Sequence, residues 1–140
     1  MNVKRIIHIG IMAKDIDVVK RLYNELLGIP IGHEELYEGD ADVCFLPVGD
    51  SSLELFADNP ETGKGRVAQM IAEHGGEGID HIAFEIDDIE SAVSELKQKG
   101  VSIRDGDPSA GAYGTKVAFL DPSETYGVLI ELVQDTKDRY

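Results

Sequence analysis

The chain has 140 residues, 42% of them hydrophobic, which is typical of one soluble domain or of two small halves sharing a core. It carries 13 Lys and Arg against 27 Asp and Glu, a formal net charge of −14 at pH 7. This charge argues against nucleic acid as a partner. At long range it would repel an anionic substrate, unless a metal ion or a Lys/Arg cluster offsets it locally.

The cysteine count and the lengths of the apolar runs indicate the cellular compartment. A single cysteine, Cys44, excludes an internal disulfide and favours the reducing cytoplasm. No apolar run approaches the length of a membrane span, and the N-terminus lacks the apolar core of a signal peptide. We therefore expect a cytoplasmic protein with no membrane association.

The N-terminal segment predicts a strand followed by a helix. In residues 4–12, Ile7 and Ile9 share one face while His8 points to the other, as alternation along a strand requires. Asp15 is the expected N-cap of the helix, and Gly28 is its expected end. Between them, apolar residues recur at helical spacing: Ile16, Val19, Leu22, Tyr23, Leu26 and Leu27.

Three further strands are predicted at 30–36, 43–48 and 53–57, separated by turns at 38–40 and 49–50. In the last of them, Glu54 opposes Leu53 and Leu55. Residues 58–65 are turn formers and are predicted to form a linker, and a short helix is expected at 67–73.

After the linker the pattern restarts. The strand around His81 matches the strand around His8, and each is followed by a helix ending in Gly. Val43-Cys-Phe-Leu is matched by Val117-Ala-Phe-Leu, and Leu53-Glu-Leu by Ile130-Glu-Leu. The sequence therefore predicts an α+β fold with two β-α-β-β-β modules at about 4–57 and 78–134. The linker and helix lie at 58–77, and the whole chain, 1–140, forms one domain.

Four polar side chains oppose the hydrophobic faces of their strands: His8, Glu54, His81 and Glu131. A lone His or Glu in an apolar strand is more often structural than a ligand. Four of them paired by a repeat favour a site for a divalent metal, because two carboxylates and two imidazoles in one place would otherwise repel or need protons. Nitrogen and oxygen ligands without thiolate suit Co²⁺, Ni²⁺, Mn²⁺, Fe²⁺ or Zn²⁺.

Other polar residues have ordinary interpretations. His33 and His74 have no partner in the repeat and are predicted to lie on the surface. Lys64, Arg66 and Lys116 could hold an anionic group, although each is more often a surface charge.

On these residues the chain resembles the vicinal oxygen chelate superfamily, which includes glyoxalases, bleomycin resistance proteins and dioxygenases. The similarity covers about residues 4–134. Within that superfamily the chain is most similar to the methylmalonyl-CoA epimerases, through these stretches: His8-Ile-Gly-Ile, residues 44–50, residues 76–85, Lys116-Val-Ala-Phe-Leu and residues 127–133. The resemblance implies a cupped, mostly antiparallel sheet around a metal.

The resemblance also implies an activity. One divalent ion per chain, with Co²⁺ favoured and Zn²⁺, Ni²⁺ or Mn²⁺ as alternatives, would be held by His8, Glu54, His81 and Glu131. An acyl-CoA substrate, methylmalonyl-CoA, would change between its (R) and (S) forms through a metal-stabilised enediolate. Glu131 would act as both ligand and base, with Glu54 at the position mirrored by the repeat. Small proteins of the superfamily often pair, so a homodimer is expected.

The chain departs from the family pattern at three places. Tyr126-Gly127 stands where the family has Gly-Gly before the last strand. Asp121-Pro122-Ser123-Glu124 stands where the family has His-Pro-Lys-Ser. The family's second catalytic carboxylate aligns near Val43, where no Glu is present. The second proton carrier therefore stays open among Glu54, Glu35, Glu38 and a bound water.

Three other functions fit the same fold. A lactoylglutathione lyase of the glyoxalase I type would use the same electrostatics on a hemithioacetal, but the long turn at 121–127 favours the epimerase. A metal-free antibiotic-binding protein would lack the four ligands. A ring-cleaving Fe²⁺ dioxygenase usually has two His and one carboxylate with open positions, and a second carboxylate would close one of them.

Overall fold

The computed structural model describes residues 1–135. They fall into two compact units. The first unit is Ile9–Asp80, and the second contains Met1–His8 together with the described chain from His81 onwards. The division falls inside the first strand, β1 (Val3–Met12), between His8 and Ile9. It does not coincide with the repeat, and the single domain with modules at 4–57 and 78–134 stays a prediction.

The first unit has an antiparallel sheet, in which β3 pairs with β2 on one side and with β4 on the other. Its elements after β1 are α1 (Ile16–Lys20), a π-helical turn (Arg21–Leu26), β2 (His33–Tyr37), β3 (Ala41–Val48), β4 (Ser51–Asp58) and α2 (Arg66–His74). The register pairs Phe45 with Glu54 and Val43 with Glu35. These four side chains therefore lie on one face of the sheet.

The first helix begins where the sequence predicts. The Asp15 carboxylate accepts hydrogen bonds from the backbone N–H of Asp17 (2.9 Å) and Val18 (3.3 Å), which caps α1. The helix continues as a π turn, in which Leu27 N–H donates to the Leu22 carbonyl at 3.0 Å. It packs over the sheet face formed by three buried residues: Cys44, Leu46 and Leu55.

The second unit has a mixed sheet. β8 pairs with β5 in parallel and with β7 in antiparallel orientation, and β7 pairs with β6. The bounds are β5 (Gly78–Ile86, of which the unit contains the part from His81), α3 (Ile89–Gln98), β6 (Ser109–Ala110), β7 (Lys116–Leu120) and β8 (Leu129–Gln134). One face packs under α3 through a buried cluster: Ile86, Ile89, Ala92, Val93, Ile103, Ala118, Leu120 and Leu132.

The eight described strands and three α-helices confirm the α+β class, with mostly antiparallel pairs. The second unit departs from the repeat at its edge, because β6 has only two residues where β2 has five. Upstream, Ile103 alone bridges to Leu120, and Asp105 and Gly106 turn the chain with φ of +62° and +82°. No helix within residues 1–135 is both long and apolar enough to span a membrane.

Candidate metal centre

Three buried side chains of the second unit converge on one point. His8 Nε2 lies 3.2 Å from His81 Nε2 and 3.0 Å from Glu131 Oε2. His81 Nε2 lies 2.9 Å from the same oxygen. The three residues are 4%, 5% and 6% exposed. The structure thus brings together three of the four residues that the sequence predicts as ligands.

Strand pairing and aromatic packing set this geometry. Glu131 lies opposite Ala83 in the parallel pair of β5 and β8, and His81 is two residues before Ala83 on the same face. This face is turned away from the α3 cluster. Phe119 lies opposite Glu131 on β7, and its ring meets His81 edge-on at 6.0 Å. The His8 and His81 rings also meet edge-on, at 5.3 Å.

The donor set fits a divalent cation. An imidazole nitrogen has one in-plane position, which holds either a proton or a lone pair. Hydrogen bonds alone cannot satisfy His8 Nε2, His81 Nε2 and Glu131 Oε2 at the same time. Whichever of the two ring nitrogens carries a proton, at least one pair of these atoms has two lone pairs, or two N–H groups, facing each other. A central cation accepts all three lone pairs. Bonds of about 2.1 Å at right angles separate neighbouring donors by about 3.0 Å, close to the observed 2.9–3.2 Å.

Glu131 is ionised at neutral pH. Burial has the largest single influence on its pKa and favours the neutral acid, but hydrogen bonds and charge from His8, and then from His81, outweigh it. Together they lower the pKa of Glu131 from 4.5 to about 2. Its Oε2 lies 3.0 Å from His8 Nε2 and 2.9 Å from His81 Nε2. The carboxylate can therefore hold a cation through one oxygen and accept a proton on the other.

The fourth predicted ligand, Glu54, lies on β4 of the first unit and is not among the three grouped residues. It is half-buried and lies opposite Phe45 on β3, on the sheet face turned away from α1. Its assignment as metal ligand and catalytic carboxylate stays a prediction.

Glu35 lies on the same face of the first unit, on β2 opposite Val43. Its Oε1 lies 3.4 Å from His33 Nε2. The His33 ring packs against Phe45 with centroids 6.2 Å apart. His33 is therefore half-buried on the sheet rather than fully exposed, whereas His74 is exposed as expected.

Two of the predicted cations have carboxylates beside them. Arg66 donates to Glu38 Oε2 at 3.2 Å and to Asp40 Oδ1 at 2.8 Å. Lys116 Nζ lies 3.8 Å from Glu90 Oε1. Glu38, at an exposed turn and paired with Arg66, is thus a weaker candidate for proton transfer than Glu35 or Glu54.

Sequence reasoning missed Arg104 and Phe119. The bridge between Ile103 and Leu120 places Arg104 opposite Phe119, and Arg104 N–H donates to the Phe119 carbonyl at 2.8 Å. The guanidinium carbon lies 5.9 Å from the centre of the Phe119 ring. The alternation of Ile103 and Arg104 is a signal that could have indicated an edge segment, but it is only two residues long.

Comparison with known proteins shows the family of the chain. A family model described as the glyoxalase/bleomycin resistance protein/dioxygenase superfamily matches residues 7–119. The chain belongs to this superfamily. Mitochondrial methylmalonyl-CoA epimerase of Bos taurus is 31% identical over 134 residues, which cover 95% of this chain and 75% of that protein. The uncharacterized protein YqjC of Bacillus subtilis (strain 168) is 34% identical over 137 residues, covering 97% and 96%.

Solved structures of the superfamily confirm the fold. A variant of Streptomyces coelicolor methylmalonyl-CoA epimerase, in complex with 2-nitronate-propionyl-CoA, superposes with a TM-score of 0.85 at 30% identity. The match covers 99% of both chains. The predicted vicinal oxygen chelate fold, and the similarity to methylmalonyl-CoA epimerases within it, are therefore confirmed.

Proposed function

We propose that the protein is a metal-dependent methylmalonyl-CoA epimerase, which interconverts the (R) and (S) forms by removing and returning the proton on the α-carbon. The observation that carries the proposal is the buried triad of His8, His81 and Glu131, with donor atoms 2.9–3.2 Å apart. Similarity to epimerases at about 30% identity supports the choice of an acyl-CoA thioester.

The chain's own residues have distinct roles in this reaction. His8 and His81 hold the ion through Nε2, and Glu131 holds it through Oε2. The bound ion, for which we favour Co²⁺ over Zn²⁺, Ni²⁺ or Mn²⁺, supplies electrostatic stabilisation of the charge that develops on the thioester oxygen. Glu131 Oε1 takes the α-proton, because Oε2 is the oxygen that contacts both imidazoles and would hold the ion.

Inversion needs a second proton carrier, since the proton must return to the opposite side of the α-carbon. We propose Glu54, because it occupies in the β3–β4 pair the register position that Glu131 occupies in the β7–β8 pair. The same register supports a role as the fourth ligand. Glu35, beside His33, and a bound water are the alternatives.

Proton exchange tests the proposal. The protein would be incubated with methylmalonyl-CoA in D₂O, first with Co²⁺ and then with EDTA, and the C2 proton followed by NMR. Loss of the signal only with metal supports the epimerase. Persistence of the signal with one metal ion bound per chain contradicts it and directs the test to the hemithioacetal of a lactoylglutathione lyase. A protein that binds no metal contradicts the metal centre and favours the metal-free binding protein.

We also propose a homodimer in the cytoplasm. The free, buried Cys44 is compatible with a reducing compartment. Val18, Leu22 and Leu26 are 68%, 44% and 63% exposed along α1 and its π turn, an apolar surface that a second copy would cover. Sedimentation equilibrium should give twice the chain mass, and Leu26→Glu should lower it to one chain. A wild-type mass of one chain would contradict the dimer.

A further inference from the structure

Arg104 is an exposed cation on the same sheet face as the metal triad. In the second unit, Phe119 and Glu131 are register partners, so their side chains leave the same face. Ile103 is buried with Leu120 in the α3 cluster. Arg104, one residue later and opposite Phe119, therefore lies on the other face, which is that of the triad.

The guanidinium is held in place by an aromatic ring. Its central carbon is 5.9 Å from the Phe119 ring centre, within cation–π range. The Phe119 ring in turn meets His81 at 6.0 Å. These two separations bound the distance from the guanidinium carbon to the His81 ring centre at about 12 Å.

Arg104 makes no close ion pair within the described residues. Among residues 1–135, no carboxylate oxygen lies within 4.0 Å of its guanidinium. Asp121, the neighbouring acid across the strand end, accepts from Ser123 N–H at 2.9 Å. Hydrogen bonds from Ser123 are the main cause of its lowered pKa, and the charge of Arg104 makes the smallest contribution. In a protein with a net charge of −14, an exposed arginine beside a metal site, with no carboxylate oxygen of residues 1–135 in close contact, provides the local positive charge that an anionic substrate requires.

We propose that Arg104 is a substrate-binding residue whose guanidinium, held over Phe119 beside the metal triad, binds an oxyanion of the acyl-CoA substrate. A guanidinium presents a planar fork of N–H donors that matches phosphate and carboxylate groups. The proposal rests on the proposed function, since the acyl-CoA class comes from it. The oxyanion belongs either to a phosphate of coenzyme A or to the carboxylate of the acyl group.

Two ligands separate these sources. Propionyl-CoA has the phosphates without the acyl carboxylate. The N-acetylcysteamine thioester of methylmalonate has the carboxylate without the phosphates. Binding of each to the metal-loaded protein would be measured by calorimetry for the wild type, Arg104→Gln and Arg104→Lys. Arg21→Gln is the matched control, because it removes the same charge from an exposed arginine of the first unit.

We expect Arg104→Gln to weaken one of the two ligands about 10-fold, with Arg104→Lys intermediate because lysine lacks the fork, and Arg21→Gln within about twofold of wild type. Weaker propionyl-CoA binding assigns the contact to phosphate, and weaker binding of the truncated thioester assigns it to the carboxylate. Equal effects of Arg104→Gln and Arg21→Gln, or no wild-type binding of either ligand, overturn the proposal.

The measurement is independent of turnover. If the wild type binds propionyl-CoA through Arg104 but exchanges no proton of methylmalonyl-CoA, the epimerase proposal fails and the Arg104 contact stands. If proton exchange is normal and Arg104→Gln binds both ligands like the wild type, the Arg104 contact fails and the epimerase proposal stands.

Discussion

The β3–β4 pair of the first unit and the β7–β8 pair of the second are built on one register. Each aligns a Phe with a Glu: Phe45 with Glu54, and Phe119 with Glu131. One residue along, each strand pair turns small or apolar side chains towards its helix, Cys44 under α1 and Ala118 under α3. Sequence repetition is thus reproduced as repetition of strand pairing.

The two pairs differ in what surrounds the Glu. Glu131 is 6% exposed and lies against two imidazoles, whereas Glu54 is half-buried. Phe119 meets His81 edge-on, while Phe45 meets His33 at a tilt of 35°. The duplicated scaffold therefore preserves backbone pairing while its side chains differ, and in the second unit they form a buried His, His and Glu group that could hold a metal ion.

The largest effect is expected from Glu131→Gln. The amide removes the charged donor shared by His8 and His81 and also the proposed base, so both metal binding and proton exchange depend on it. We expect proton exchange to fall by about three orders of magnitude, and the metal that survives gel filtration to fall well below one ion per chain.

The matched comparison is Glu54→Gln, the same change at the register counterpart that we propose as the fourth ligand. Metal analysis of the two variants compares the units directly. Metal retained by Glu131→Gln at the wild-type level would exclude the triad as the binding site.

A smaller effect, about 100-fold, is expected from Glu54→Gln on inversion, the magnitude typical of a general acid or base. Loss of the second carrier should slow epimerisation while Glu131 still exchanges the proton of one epimer with solvent. Polarimetry and deuterium incorporation from single epimers would be compared. If Glu35→Gln slows epimerisation but keeps deuterium exchange, and Glu54→Gln does not, the second carrier is Glu35.

The repeat was predictable because its determinants are local. The side chain of His81 is placed by strand alternation, and the cap of α1 by Asp15 alone, so both can be read from short stretches. The polar face of β5 and β8 follows from the same alternation, since Ile82 and Leu132 leave only the other face for His81 and Glu131.

What was not predictable depends on contacts between distant segments. Whether β6 extends over five residues or two is decided by the turn at Asp105 and Gly106, which leaves only Ile103 bridged to β7. The position of Arg104 over Phe119 follows from that bridge, 15 residues away in sequence and without a motif. The half-burial of His33 likewise depends on its packing against Phe45 across the strand pair.

The reactivity of Cys44 tests whether the sheet face under α1 is buried. Burial raises the pKa of the thiol to about 11, with a further contribution from the negative charge of Glu34. At pH 8 this lowers the thiolate fraction about 100-fold relative to a thiol with a pKa of 9.0. We expect alkylation of the native protein to be at least about 100 times slower than in urea, as measured by mass spectrometry.

The same shift makes the stability depend on pH. Because the folded state holds the proton more tightly, the thiol's contribution is complete below pH 9 and is lost as the pH rises towards 11. Cys44→Ala, which installs the residue found at position 118, should remove this part of the pH dependence. An identical loss of stability between pH 9 and 11 in both proteins would show that other groups cause it.

The smallest effect is expected at the helix caps, where the units again offer a matched pair. Asp15 accepts from two backbone N–H groups and Asp88 from one, that of Ser91 at 3.1 Å. Either change to Ala should lower the free energy of unfolding by about 1 kcal/mol, measured by urea denaturation, and Asn should restore most of it. The local consequences should differ, because α3 buries Ile89, Ala92 and Val93 whereas α1 has no fully buried residue.

Helix α1 therefore depends more on its cap than α3, whose packing persists when the cap is lost. Hydrogen exchange should show α1 amides opening in Asp15→Ala at denaturant concentrations where α3 amides in Asp88→Ala remain protected. Equal protection of the two helices would mean that the π turn and the partly buried side chains of α1, rather than its cap, stabilise the helix. In that case α1 and α3 would be equally stable, and the two units would resemble each other in helix stability as well as in strand register.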